Sequence, residues 1–134
     1  MITINDAAEA YFLAAERCEE QRPISHEQVE FLLVPAVTNR AFATELYIKA
    51  ISQKDRKELR GHDLKKLYDM LDDNRKNEII QEIGMNDKIF KEALEENANL
   101  FVDWRYLFEK ENIQVTWQFL KKLSRSVKKV FEGM

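Results

Sequence analysis

The residues best suited to chemistry lie between Asn39 and Leu71. The first group is the run Asn39-Arg40-Ala41-Phe42-Ala43-Thr44-Glu45-Leu46-Tyr47-Ile48-Lys49-Ala50. Plotted at about 100° per residue, Arg40 falls near the centre of an apolar helical face and Asn39 at its edge. A guanidinium in that position must be paired and hydrogen-bonded, because losing its water would otherwise cost several kcal/mol. Three arrangements satisfy this: a carboxylate partner inside a helical bundle, a place on a cleft, or outward rotation by a kink at Pro35. In a cleft, the planar fork would hold a phosphate through two hydrogen bonds. Structural ion pairs also occupy such positions. Glu45 and Lys49 follow in the favourable i, i+4 order and could simply support one another. Glu45 is also flanked by Phe31, Phe42 and Ile48, so this helix should be buried on two sides. Glu45 would then need a cation from elsewhere, and Arg105, in Trp104-Arg105-Tyr106, is the candidate.

The second group is Gly61-His62-Asp63-Leu64-Lys65-Lys66-Leu67-Tyr68, with Arg56 six positions before His62. His62 is either an incidental loop residue before an Asp63 helix cap or a proton-transfer group for phosphodiester cleavage. In the second case Arg56 would supply charge at the phosphate. Lys121, Lys122, Arg125, Lys128 and Lys129 form a basic stripe opposite Leu120 and Leu123. Such stripes are usually solvated faces, and without interleaved aromatics this one offers bases nothing to stack on. No His or Cys pair has metal-ligand spacing, and neither a Gly-rich phosphate loop nor a nucleophile elbow occurs. No metal and no cofactor is expected.

Helices must position these residues. Asp6 with Glu9 reads as a capping pair opening a helix through about Glu20, with Tyr11, Ala14, Ala15 and Cys18 inward, broken by Gln21-Arg22-Pro23. Ser25 and Gln28 have capping-box spacing, and Ile24 and Val29 sit at the staple positions of a second helix running to about Gln53. On one face of it lie Val29, Leu32, Leu33, Ala36, Ala43, Tyr47, Ala50 and Ile51, with Pro35 expected to kink it. Lys54 to Arg60 is a charged connector or a frayed helix end. A short helix follows Gly61, with Leu64, Leu67, Tyr68 and Leu71 inward, and another covers about Asn74 to Ile83 before Gly84. A fifth is expected from about Asp87 to Phe108 and a last from about Val115 to Phe131. The fold class is all-α: a single-domain, up-and-down bundle of five to six helices.

At 134 residues the chain is long enough for one core. Three glycines and two prolines argue against a turn-rich β fold. A net charge of −3 gives no global attraction to nucleic acid or membrane, so such binding needs a local patch. One cysteine, no leader and no spanning apolar run point to a cytoplasmic protein without a membrane partner.

The Asn39–Ala50 run, the Gly61-His62-Asp63-Leu64…Leu67 start and Phe101-Val102-Asp103-Trp104-Arg105-Tyr106-Leu107-Phe108-Glu109 together resemble the HEPN domain superfamily. The resemblance implies a small, commonly dimeric helical bundle of prokaryotic toxin–antitoxin or phage-defence systems. Many members are metal-independent ribonucleases carrying an Arg, a polar residue and a His four to six positions after the Arg. Others bind nucleotides or RNA, or partner a nucleotidyltransferase. Arg56 and His62 fit the length of the nuclease signature, but Lys57 is not the usual polar follower. The pair also lies in a connector rather than the later helix, and no His follows Arg105. The resemblance thus implies a homodimeric binding module with Asn39, Arg40, Glu45 and Arg105 as ligand-binding candidates. A ribonuclease using His62 with Arg56 or Arg40 and a purely structural protein-interaction subunit are the alternatives.

Overall fold

A computed structural model describes residues 1–26, 29–30, 32–98 and 113–134. Among them the chain forms an all-α bundle: α1 (Ile4–Cys18), α2 (Leu33–Lys54), α3 (Leu64–Asp69), α4 (Asp73–Ile83), α5 (Asp87–Glu96) and α6 (Ile113–Glu132). A two-residue antiparallel ladder joins β1 (Arg22–Pro23) to β2 (Val29–Glu30), pairing Arg22 with Glu30 and Pro23 with Val29. Among the described residues no helix is long and apolar enough to cross a membrane.

The α1 start lies earlier than the Asp6–Glu9 pair suggests. Thr3 is the N-cap, and its hydroxyl accepts from the Asp6 amide at 3.1 Å while the Asp6 carboxylate accepts from the Thr3 amide at 3.0 Å. This is the reciprocal capping box, which satisfies two amides the first turn leaves open. Its buried face is Ala8, Phe12 and Ala15; Tyr11, expected inward, is 36% exposed. The α2 start lies later than the Ser25–Gln28 box suggests. Ser25 sits in the bend between β1 and β2, Gln28 and Phe31 lie outside the described residues, and Ile24 is exposed. Pro35 explains the shift. Inside a helix begun at residue 26 it would delete one hydrogen bond and clash one turn back. With Leu32 at the N-cap it sits in the first turn, where its missing N–H has no intrahelical role, so the expected mid-helix kink has no cause.

α2 is the central helix. Ala43, Thr44, Glu45, Tyr47 and Ile48 are all buried although they point in different directions around the axis. α1, α6 and α3 cover its successive sides. Glu9 meets Tyr47 and Glu19 meets Arg40, so α1 runs antiparallel to α2. Arg40 meets Ser124 and the Tyr47 ring lies 5.8 Å from Phe131, so α6 runs parallel to α2. The helices α3, α4 and α5, which lie between them in sequence, follow local signals. Asp63 caps α3 by accepting from the Lys66 amide, Gly84 ends α4 in the left-handed region at φ 70°, and Asn86 caps α5. Leu64, Leu67, Tyr68 and Leu71 are buried as their spacing requires. Tyr68, Phe90 and Phe119 form a chain of rings from α3 through α5 to α6, with centroids 5.2 and 6.1 Å apart. The expected helix from Asp87 to Phe108 is corrected: α5 ends at Glu96, where Asn97 turns its side-chain amide onto the Ala93 carbonyl. The Ala98 carbonyl then accepts from the Leu64 amide at 3.0 Å, drawing the chain back over the start of α3. Residues 99–112, including Trp104, Arg105 and Tyr106, lie outside the described residues.

Candidate functional site

The helix positions deliver Arg40 and His62 to two different environments. Arg40 is 0% exposed. Its Nε and Nη2 donate to the two oxygens of Glu19 at 2.8 and 2.5 Å, and Nη1 donates to Ser124 Oγ at 3.3 Å. Glu16 Oε1 stands 3.2 Å from Nη2, and the guanidinium carbon lies 4.7 Å over the Phe12 ring. Glu19 also accepts from the Trp117 indole at 2.7 Å. Burial pushes the Glu19 carboxyl up. The hydrogen bonds from Arg40 and Trp117 and the charges of Arg40 and Lys121 outweigh it, holding the group below the ordinary glutamate range. Of the arrangements open to Arg40, the one present is a bidentate pair inside the bundle that ties α1, α2 and α6 together. A phosphate could reach it only by displacing Glu19. Asn39 is half-buried, with its amide 3.9 Å from the Cys18 sulfur. Arg105, the remaining ligand-binding candidate, lies outside the described residues.

Glu45 is 1% exposed, as a helix buried on two sides demands. Two partners face it: Lys49 Nζ at 3.5 Å on one oxygen and His62 Nδ1 at 2.9 Å on the other. A carboxylate oxygen accepts, so Nδ1–H is the donor in this pair. A buried carboxylate thereby fixes the tautomer and orientation of a side chain that is itself 56% exposed. Tyr47, two positions along α2, donates to Glu9, which also takes Lys128, so it serves the packing between α1, α2 and α6.

The turn after α2 builds a cavity of about 380 Å³ beside this cluster. Lys49, Gln53, Arg56, Lys57 and Glu58 supply its polar lining, Ile4 and Leu59 its apolar part. Two ties set the turn. Ser52 Oγ donates to the Lys57 carbonyl at 2.8 Å, and Arg75 grips Asp55 through Nε and Nη2 at 2.8 and 3.0 Å, locking the end of α2 to α4. The Arg75 hydrogen bonds hold the Asp55 carboxyl below the ordinary aspartate range, with burial opposing. Between these ties Arg56 has φ 63°, the only positive φ of a non-glycine among the described residues. That region costs a side-chain-bearing residue roughly 1–2 kcal/mol, and glycine is the usual occupant just past a helix end. Arg56 is exposed and makes no ion pair among the described residues, whereas Lys57 is paired with Asp72 and Asp55 is taken by Arg75. The unmatched cation of this cavity is therefore Arg56.

Sequence reasoning placed His62, Arg56 and Glu45 in view but not their relation. It missed Glu19 and Lys57 as partners. The spacing Ala8, Phe12, Ala15, Glu19 on one helical face was the available sign for Glu19. The basic residues of α6 are solvent-facing but largely engaged: Lys128 with Glu9, Arg125 with Glu16, Lys129 with Glu82, and Lys121 over the Trp117 ring. No group of His, Cys, Asp and Glu side chains among the described residues could hold a metal ion. No family model, curated protein or solved structure matches this chain.

Proposed function

We propose that this chain is a HEPN-like binding module that takes the phosphates of RNA or a nucleotide in the cavity after α2. In this reading it acts as a homodimer beside a protein partner, such as a nucleotidyltransferase, in a prokaryotic defence or toxin–antitoxin system. The observation that carries the proposal is Arg56. A guanidinium without a carboxylate partner among the described residues is held on left-handed backbone where glycine would be easier, beside Lys49 and Lys57. Backbone strain of this kind persists where the side chain is needed, and a planar fork among lysines suits a phosphate. The resemblance carried by the Asn39–Ala50 run and the Gly-His-Asp-Leu start supports the family part. The test is fluorescence anisotropy with labelled mononucleotides and short RNAs at low and moderate salt. Expected is binding that weakens with salt and is lost in Arg56→Ala; no binding to either ligand class refutes the reading.

A second reading rests on the Glu45–His62 pair, which has the geometry of a carboxylate-oriented acid–base group. In a ribonuclease, His62 would take the proton of a ribose 2′-hydroxyl as its oxygen bonds to phosphorus. The P–O5′ bond would break, the departing oxygen would take a proton from solvent water, and Arg56 would stabilise the charge building on the phosphate. RNA cleavage unchanged in His62→Ala ends this reading.

A further inference from the structure

A second cavity lies elsewhere, between α1, α4 and α6, with a volume of about 470 Å³. That is within the roughly 300–1,000 Å³ of small-molecule sites. Its wall on α6 is the basic stripe: Lys122, Arg125, Lys128 and Lys129 all line it, with Phe12 and Ile83 beneath. In a chain of net negative charge, this is a local concentration of cations. Their compensation is incomplete. Glu16, which faces Arg125 at 3.6 Å, is shared with buried Arg40 at 3.2 Å. Lys129 reaches Glu82 at 3.1 Å from a side chain that is 73% exposed, and exposed Lys122 has no ion pair among the described residues. Pairs this exposed hold their partners weakly and yield to a ligand of higher charge.

We propose that this cavity binds a short polyphosphate chain, inorganic or carried by a nucleoside. Lys122, Arg125 and Lys129 stand at i, i+3 and i+7 on one face, a row about 10 Å long by helical rise. A row of that length matches linked phosphates better than a single one. The ligand is short because Glu82 and Glu132 line the cavity at the Lys129 end. A nucleic-acid strand running past would meet like charge there. A base gains little at this site. Phe12 is 7% exposed, and the Arg40 and Lys128 cations already sit over its ring at 4.7 and 4.3 Å. Recognition therefore resides in the phosphates, and a nucleoside adds no large preference.

The experiment is calorimetric titration of the full chain, in about 0.1 M salt, with sodium tripolyphosphate, ATP, AMP and a short oligouridylate. Expected are Kd values for tripolyphosphate and ATP within about threefold of one another, with AMP weaker by about tenfold or more. Lys122→Glu and Lys129→Glu, both exposed and so expected to fold, each weaken tripolyphosphate by about tenfold, while Lys88→Glu on α5 does not. No binding of tripolyphosphate up to about 5 mM overturns the proposal. So does tighter binding of the oligouridylate than of tripolyphosphate, or loss of tripolyphosphate binding in Arg56→Ala with Lys122→Glu neutral. The last result places the ligand in the cavity after α2, and because it uses separate variants it distinguishes failure here from failure of the proposed function.

Discussion

Replacing Arg40 by methionine tests whether this residue holds the bundle or serves a ligand. The change keeps an unbranched chain beside Phe12 but strips Glu19 of two donors at 2.8 and 2.5 Å. The Glu19 side chain is 7% exposed, so it cannot recover its lost partner from water without moving. Breaking a buried pair on one side destabilises by about 3–5 kcal/mol, because a charge is left in a poor solvent. At roughly 2.1 cal/mol/K of unfolding entropy per residue, that is a fall in Tm of about 11–18 °C for a chain of this size. The pH dependence should also reverse locally. In the parent, Glu19 lies below its ordinary range, so its contribution is present at neutral pH and lost as pH falls through the native value. In Arg40→Met, burial is opposed only by the Trp117 hydrogen bond and the Lys121 charge, so the Glu19 pKa rises and the stability gap to the parent should narrow as pH falls from about 8 to 5. Adding Glu19→Gln removes the orphaned charge and should recover most of the loss, giving a coupling energy of several kcal/mol in the double-mutant cycle. The assay is thermal unfolding by circular dichroism across that pH range. An Arg40→Met variant with Tm within about 3 °C of the parent, or a double variant no better than the single one, refutes the assignment of Arg40 to the interior.

Three further outcomes follow from the local geometry. Arg56→Gly removes a side chain from left-handed backbone and should raise stability by about 0.5–1 kcal/mol, roughly 2–4 °C in Tm, while weakening RNA or nucleotide binding; a stabilised variant that binds as well as the parent separates the strain from function. Asp63→Ala deletes the cap of α3 and should cost about 1 kcal/mol, read by denaturant unfolding at unchanged m. Glu9, Glu19 and Asp55 all lie below their ordinary ranges, so their joint contribution is complete above about pH 5 and fades as pH falls through their native values; equal stability at pH 3 and pH 6 contradicts it.

What the sequence disclosed follows the range over which each interaction acts. Asp63, Gly84 and the Leu64–Leu71 spacing operate within a turn or two, and all three stand where the sequence puts them. Ser25 and Gln28 offered an equally local sign, yet Pro35 overrode it, because a proline in a helix interior outweighs one cap by a few kcal/mol. The burial of Arg40 on the apolar face, and of Glu45 among Phe42 and Ile48 on a second side, stood among the readings the sequence left open. Their partners did not. Glu19 is 21 positions from Arg40, Ser124 is 84, and Trp117 is 98 from Glu19. His62 reaches Glu45 only because the connector folds back after α2. Pairings set by how helices stack have no signature in local spacing, and the cavity after α2 depends on one backbone angle at Arg56 that no neighbouring residue foretells.

Glu19 joins Arg40 and Trp117, so a single carboxylate links three helices drawn from opposite ends of the chain. During synthesis on the ribosome, α1 and α2 emerge long before α6. Until Ile113–Glu132 is made, the side of α2 that α6 will cover, and a charge pair meant for the interior, stand open to solvent or to a chaperone. The open side of α2 is therefore closed, and the Arg40–Glu19 pair enclosed, only once α6 has been made.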